Sequence, residues 1–173
     1  NWPRSGQCGL VVEHPRAVHC KIYIRCTMRC AMGARETTAL RGSGVVFLLK
    51  KRHFTADNLL KRGWANNTTC VLCGFEVETV DHLFSQCVFF RFLLVESLED
   101  VELEDLSDDV QLVWDRWKGR QGTLPTSNGL IGLIVCWWVI RESRKVVIFR
   151  RAQVDPLGGL HKIKQLMSLW ENL

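Results

Sequence analysis

The spacing of three cysteines and one histidine constrains this chain more than any other feature of its sequence. These residues follow the pattern Cys70-x2-Cys73-x8-His82-x4-Cys87. Thiolates and imidazole are ligands that zinc prefers, and four of them complete its tetrahedron. Gly74 follows the Cys-x2-Cys turn and tolerates the unusual backbone angles that such a turn requires. Because four protein ligands leave no position for water, the pattern predicts a structural zinc site and not a catalytic one.

Helical geometry adds a condition to this prediction. The residues after Thr79 are typical of a helix start, and five residues along a straight α-helix rotate the chain by about 140°. His82 and Cys87 could not both face one ion from such a helix. We therefore expect a break near Ser85-Gln86 and convergence of the four ligand atoms to within about 4 Å. The alternative is four unrelated core or surface residues, which the knuckle-sized span disfavours.

Hydrophobic patterning predicts a mainly α protein. A small zinc knuckle with three cysteine ligands and one histidine should be embedded in short helices, followed by a long apolar helix and an amphipathic C-terminal helix. We divide the chain into an irregular segment at 1–44, which disorder would explain, a zinc-binding domain at 45–96, an acidic linker with a short helix at 97–128, and a helical tail at 129–173.

Capping signals locate several of the helices. A short helix should begin after Thr55, whose hydroxyl can cap it, and end at Gly63 in a left-handed conformation. Pro156, Gly158 and Gly159 should end the long apolar helix. The other predicted elements are a strand at 18–23 and helices at 25–40, 88–98, 110–118, 130–150 and 160–170.

Size and composition indicate where such a protein would work. The chain has 173 residues, 47% of them apolar and 24% charged, as in an ordinary globular domain. The longest apolar run, at 130–140, is shorter than the roughly 20 residues that span a bilayer. The first residues lack the apolar core of a signal peptide. We therefore expect an intracellular protein, in the nucleus or the cytoplasm, with no membrane partner and with reduced thiols.

Basic charge is concentrated beside the predicted knuckle. The net charge is +5, although segment 96–109 holds eight acids and no base. Phosphate contacts combined with aromatic stacking are what single-strand binding requires. The candidate nucleic-acid-binding residues are Lys50, Lys51, Arg52, Phe54, Lys61, Arg62 and Trp64. The alternative is that Trp64 packs in the core and that the lysines are merely solvated.

Three stretches of the chain together resemble a known family. They are the run at 51–64, Cys-Val-Leu-Cys-Gly at 70–74, and Glu-Thr-Val-Asp-His-Leu-Phe at 78–84 followed by Cys87. This combination closely resembles the zinc-binding domain of plant LINE-type (non-LTR) retrotransposon reverse transcriptases. The stretch at 137–144 is similar to the helical tail that often follows that domain. The resemblance implies zinc on Cys70, Cys73, His82 and Cys87, an origin in a mobile element, and association with RNA or DNA.

The resemblance does not imply polymerase activity. A reverse transcriptase needs an aromatic-x-Asp-Asp motif, whereas Asp108-Asp109 follows Leu106-Ser107 and lies downstream of the knuckle. His53 belongs to no recognisable nucleophile motif, and the chain has no glycine-rich phosphate loop. We therefore expect no enzyme, no catalytic residue and no small-molecule substrate.

The remaining cysteines carry less information. Cys20, Cys26 and Cys30 do not fit the spacing of a common knuckle, even together with the two nearby histidines, and we interpret them as fortuitous thiols. Cys136 lies in an apolar stretch and is typical of a small core residue.

Three hypotheses for function follow. The first is a non-catalytic zinc-binding module, derived from a retrotransposon reverse transcriptase polyprotein, that binds RNA or single-stranded DNA weakly. The second is a zinc-stapled protein-interaction module with Trp-rich helices, which exposure of Trp114 and Trp117 would favour. The third is a decayed open reading frame without a selected function.

Overall fold

A computed structural model describes residues 44–98, 101, 106–119 and 129–171 of the chain. Its α-helices are α1 (Gly44–Leu49), α2 (Ala56–Leu60), α3 (Val88–Ser97), α4 (Val110–Gly119), α5 (Gly129–Arg150) and α6 (Pro156–Glu171), with a π-helical turn at His82–Gln86. Within these described ranges the only β-structure is one antiparallel bridge between Thr69 and Val77. The predicted mainly α fold is therefore confirmed. The strand at 18–23 and the helix at 25–40 lie outside the described residues, and the domain limits stay a prediction.

The core forms where α3, α5 and α6 pack together. Leu93 of α3, Leu133 and Ile140 of α5, and Ile163 of α6 are all fully buried. The indole N–H of Trp137 in α5 donates to the carbonyl oxygen of Phe84 at 2.9 Å. The apolar faces of the tail thus pack directly against the chain that carries the zinc-ligand pattern.

The start of α2 is capped differently from the prediction. The Thr55 hydroxyl donates to the Asp57 carboxylate at 2.5 Å and does not cap the helix. Glu78 supplies the cap instead, because its Oε1 accepts from the Ala56 N–H at 2.9 Å. Gly63 has the expected left-handed conformation after the helix, with φ of 82°.

The prediction that Pro156, Gly158 and Gly159 end α5 was wrong. All three residues lie in the first turn or so of α6, which begins at Pro156. Proline suits the first turn of a helix because its missing N–H would have no partner there. The Asp155 carboxylate accepts from the Gly158 N–H at 2.8 Å and caps the helix. Gly159 is buried, and a Cβ there would lie 3.3 Å from Leu93, so its small size permits close packing of α6 on α3.

The long helix α5 changes character along its length. Its first half is mostly buried, from Leu130 to Ile140, whereas the half that begins at Arg141 is charged and only partly buried. Among the described helices, none combines the length and the apolar character that crossing a membrane requires.

Candidate metal centre

A tight loop presents the first two cysteines. The Cys70 N–H donates to the Glu76 carbonyl oxygen at 2.8 Å, and the Glu78 N–H donates to that of Thr68 at 2.7 Å. The turn closes where the Gly74 N–H donates to the Cys70 carbonyl oxygen at 2.8 Å. Gly74 has φ of 76°, a left-handed angle that a glycine adopts without strain, as the sequence predicted.

A π-helical turn presents the histidine and the last cysteine. The Thr79 hydroxyl accepts from the His82 N–H at 3.0 Å and caps the helix whose start after Thr79 was predicted from the sequence. The Cys87 N–H then donates to the His82 carbonyl oxygen at 2.7 Å, five residues back. This wider turn stacks residue 87 over residue 82, so both side chains face the same way. The helical turn ends at Gln86, which confirms the predicted break.

The four side chains converge on one point. The Cys70 and Cys87 sulfurs lie 4.0 Å apart, and the Cys73 sulfur lies 3.3 Å from His82 Nε2. All four ligand atoms lie within 4.8 Å of one another, slightly looser than the expected 4 Å. A tetrahedron with zinc–sulfur bonds of about 2.3 Å has edges of about 3.8 Å, which small side-chain rotations would reach. Three thiols and one imidazole therefore fit zinc in both chemistry and position.

Burial and hydrogen bonding shift the pKa values of three of the ligand side chains. The hydrogen bond with Cys87 and then burial raise the pKa of the Cys70 thiol, while the same hydrogen bond lowers the pKa of Cys87. A bound metal ion would replace the protons of these thiols, since thiolates are the form that binds zinc. Burial lowers the pKa of His82, so its imidazole is neutral near pH 7, which is the form that binds a metal.

The comparison with protein families agrees with this geometry. Residues 43–93 match a family model described as zinc-binding in reverse transcriptase. The matched segment contains all four converging side chains, and the model that it matches describes a zinc-binding domain and not a polymerase domain. No curated protein and no solved structure matches the chain. The segment is thus similar to the zinc-binding modules of reverse transcriptases, and the expected cofactor, zinc, is confirmed.

The two aromatic residues predicted to stack on bases are exposed. Phe54 is 60% exposed and Trp64 is 69% exposed, so the alternative that Trp64 packs in the core was wrong. The Arg62 guanidinium lies 4.7 Å from the centre of the Phe54 ring. This part of the chain therefore presents aromatic faces and positive charge together.

Two of the predicted cationic residues already have acidic partners. Lys51 Nζ contacts Asp81 at 2.7 Å and Asp109 at 2.6 Å, and these hydrogen bonds raise the pKa of Lys51. Lys61 pairs with Asp57 at 2.9 Å. In contrast, the side chains of Lys50 and Arg52 are exposed, with no acidic partner among the described residues.

Other predictions from the sequence concern tryptophans, acidic residues and cysteines outside the metal cluster. Trp114 and Trp117 are 6% and 4% exposed, so they cannot form a docking surface, and a protein partner stays untested. Asp108 pairs with Arg91 at 3.3 Å. Cys136 is buried, as predicted, and burial raises its pKa. The cysteines at positions 20, 26 and 30 lie outside the described residues.

One structural pair was missed by the sequence reasoning. Glu78 is fully buried, and its Oε1 accepts from Arg144 Nη2 at 2.7 Å and Nε at 2.9 Å. The same oxygen accepts from the Ala56 N–H. Glu78 and Arg144 are 66 positions apart, and no sequence pattern relates residues at that separation. The sequence showed only that one acidic residue, Glu78, lies within a compact metal-binding loop.

Within the described part of the chain, the Cys70, Cys73, His82 and Cys87 cluster is the only group of at least three side chains that could hold a metal. The Asp108-Asp109 carboxylates are used in ion pairs and in capping α4, where Asp109 accepts from the Gln111 N–H at 2.7 Å.

Proposed function

We propose that Cys70, Cys73, His82 and Cys87 hold one structural zinc ion in a non-catalytic module that acts inside the cell. The module would derive from the reverse transcriptase polyprotein of a plant LINE-type retrotransposon. The observation that carries the zinc proposal is the convergence of four ligand atoms to within 4.8 Å in the matched segment. Zinc would join the loop that holds Cys70 to the π-helical turn, and its binding free energy would become folding free energy.

Metal content tests this proposal directly. Protein purified without added zinc should contain about one zinc per chain, measured by elemental analysis. Cys73→Ser should contain none, because three ligands do not close the site. Cys136→Ala is the matched control, since it removes a buried thiol outside the cluster and should keep the full zinc content. Equal zinc contents in the two variants would contradict the ligand assignment.

We also propose that the module binds single-stranded RNA or DNA weakly and with little sequence preference. The exposed rings of Phe54 and Trp64 would stack on bases, and Lys50, Arg52 and Arg62 would contact phosphates. Lys51 and Lys61 would contribute less, because each must first leave an acidic partner. Stacking accepts every base, which supports the expected tolerance of sequence.

A titration with labelled single strands tests this second proposal. Trp64→Ala should weaken the binding of a short RNA on the order of tenfold or more, since one stacked base contributes about 1–3 kcal/mol. Leu157→Ala is a control, because Leu157 is a large apolar residue that is 72% exposed but lies in α6, outside the proposed nucleic-acid contacts. Duplex RNA should bind less tightly than the single strand. Equal effects of the two substitutions would show that the proposed rings do not stack on RNA.

A further inference from the structure

Residues 50–53, here called the basic segment, precede α2 and are hydrogen-bonded to it. The side-chain amide of Asn58 donates to the carbonyl oxygens of both Lys51 and His53 at 2.9 Å. Residues 51–53 are therefore tied to α2 by two hydrogen bonds. Lys50 and Arg52, which are exposed, lie in this segment.

The start of α2 is in turn tied to α5. One carboxylate oxygen of Glu78 accepts from the Ala56 N–H at 2.9 Å and from the Arg144 guanidinium at 2.7 Å. Arg144 and the first residue of α2 therefore share a single buried oxygen atom. This contact sets the charged half of α5 beside the chain that follows the basic segment.

A second contact brings the same face of α5 to the basic segment. The His53 ring packs against Phe84 with a centroid distance of 5.2 Å, and the Phe84 carbonyl oxygen accepts from Trp137 at 2.9 Å. Along α5, position 141 is four residues from 137, and positions 144 and 145 are three and four residues from 141, so all four share one face. Arg141 therefore lies between the two positions at which α5 is tied to the knuckle.

The positive charge on this face is only partly neutralised. Arg144 is paired with the buried Glu78. Arg141 has no acidic partner among the described residues, and Lys145 makes only a surface pair with Glu142, in which the lysine side chain is 43% exposed. Burial, followed by the charges of Arg141, Arg144 and Lys145, lowers the pKa of His53 to about 4. The charges of α5 therefore act directly on the segment that carries Arg52.

We propose that Arg141 and Lys145 form a second set of phosphate contacts, continuous with Lys50 and Arg52, along which one nucleic-acid strand passes from the knuckle onto α5. This inference rests on the proposed binding of single strands. It makes the helical tail part of the nucleic-acid site, although neither the nucleic-acid-binding residues predicted from the sequence nor the family match at 43–93 includes these two residues. A polyanion is the occupant that this charge pattern complements, and the neighbouring exposed Phe54 favours a single strand over a duplex.

The test uses the full chain and two double variants of equal charge. Arg141→Gln with Lys145→Gln removes the proposed contacts and keeps Arg144 with its buried partner. Arg150→Gln with Lys164→Gln removes the same charge from exposed positions at the end of α5 and on α6. Binding of a labelled single-stranded RNA, and of DNA with the same sequence, is measured by anisotropy between about 50 and 200 mM salt. Zinc content and circular dichroism check that each variant folds.

Loss of two phosphate contacts should reduce the slope of log K against log salt by about 1.4, because each contact to a single strand contributes about 0.7. The affinity at low salt should fall on the order of tenfold, and the control variant should change both quantities much less. The His53 imidazole NMR signals of the wild type should shift on addition of RNA.

The outcomes separate this inference from the proposed function. If Lys50→Gln with Arg52→Gln abolishes binding while the Arg141 and Lys145 variant binds normally, the single-strand proposal holds and the α5 contacts are refuted. If both charge-matched variants weaken binding equally, net charge explains the effect and the α5 surface is again refuted. A wild-type chain that does not bind at low salt would overturn both proposals.

Discussion

The backbone N–H of Cys87 donates to the carbonyl oxygen of His82 at 2.7 Å, and this single bond explains how a His-x4-Cys spacing can serve one metal ion. In an α-helix the bond would span four residues, and Cys87 would point away from His82. The π-helical turn inserts one more residue, so the two side chains lie one above the other. The Thr79 cap and the extended backbone of Cys87, with ψ of 128°, end the distortion on either side.

Loss of the metal should unfold the knuckle before the tail. In Cys73→Ser we expect amides at 68–87 to lose most of their protection from hydrogen exchange, because the metal supplies most of the folding free energy of such a small loop. Helices α5 and α6 should remain protected by their own apolar core. Hydrogen-exchange mass spectrometry compares this variant with Cys136→Ala. Equal loss of protection across both regions would mean that they unfold as one unit.

The buried pair between Glu78 and Arg144 should stabilise the protein strongly. Glu78→Gln leaves a guanidinium with only 15% side-chain exposure next to a neutral amide. Breaking a buried pair costs about 3–5 kcal/mol, so we expect a loss of about 3 kcal/mol in the free energy of unfolding. Glu142→Gln breaks the surface pair with Lys145 and should cost less than about 1 kcal/mol. Urea unfolding at pH 7 measures the free energy of unfolding of both variants. Similar losses in the two variants would contradict the prediction that the buried pair contributes more than the surface pair.

His53 should make the protein sensitive to mild acid. Its pKa falls from 6.5 to about 4 on folding, first because of burial and then because of the arginines and lysine of α5. The folded state thus prefers neutral His53, and this stability is fully present above pH 6.5 and is lost as the pH falls through about 4. Because the ring is partly exposed, we expect about 1–2 kcal/mol, less than the full shift implies.

The control for this pH effect is His53→Phe, which keeps an aromatic ring against Phe84. Acid also protonates the zinc ligands, but that loss occurs in both proteins and cancels in their difference. The difference in unfolding free energy between wild type and variant should therefore change between pH 6.5 and about 4 and remain constant at higher pH. A difference that is flat across this range would exclude His53 as the titrating group.

Asp109 should reduce the affinity for RNA by holding Lys51. Asp109→Asn keeps the Oδ1 atom that caps α4 and removes the charge that pairs with the lysine. Because Asp81 still pairs with Lys51, we expect binding of single-stranded RNA to tighten by about twofold and the salt slope to steepen by less than the roughly 0.7 of one full phosphate contact. Asp115→Asn removes the same charge from an exposed position on α4. Equal tightening in both variants would indicate a general charge effect without release of Lys51.

Local signals in the sequence determined the metal site and most helices. The ligand spacing, the Thr79 cap and the left-handed Gly63 and Gly74 depend on residues a few positions apart. Hydrogen bonds and steric limits within one turn of chain decide such features, so their residue types are informative without any tertiary structure. Positions 82 and 87 of a straight α-helix face different directions, and this alone predicted where the helix must be distorted. The sequence did not predict that the distortion is a π-helical turn.

Which charges remain available, and which aromatic residues are buried, depends on contacts between distant parts of the chain. Lys51 meets acids that are 30 and 58 positions away, and Glu78 meets an arginine 66 positions away. Trp64 is exposed while Trp114 is buried, although the residue type is the same. The path of the chain over long separations sets these outcomes, because burial and ion pairing depend on which distant surfaces meet and not on local spacing.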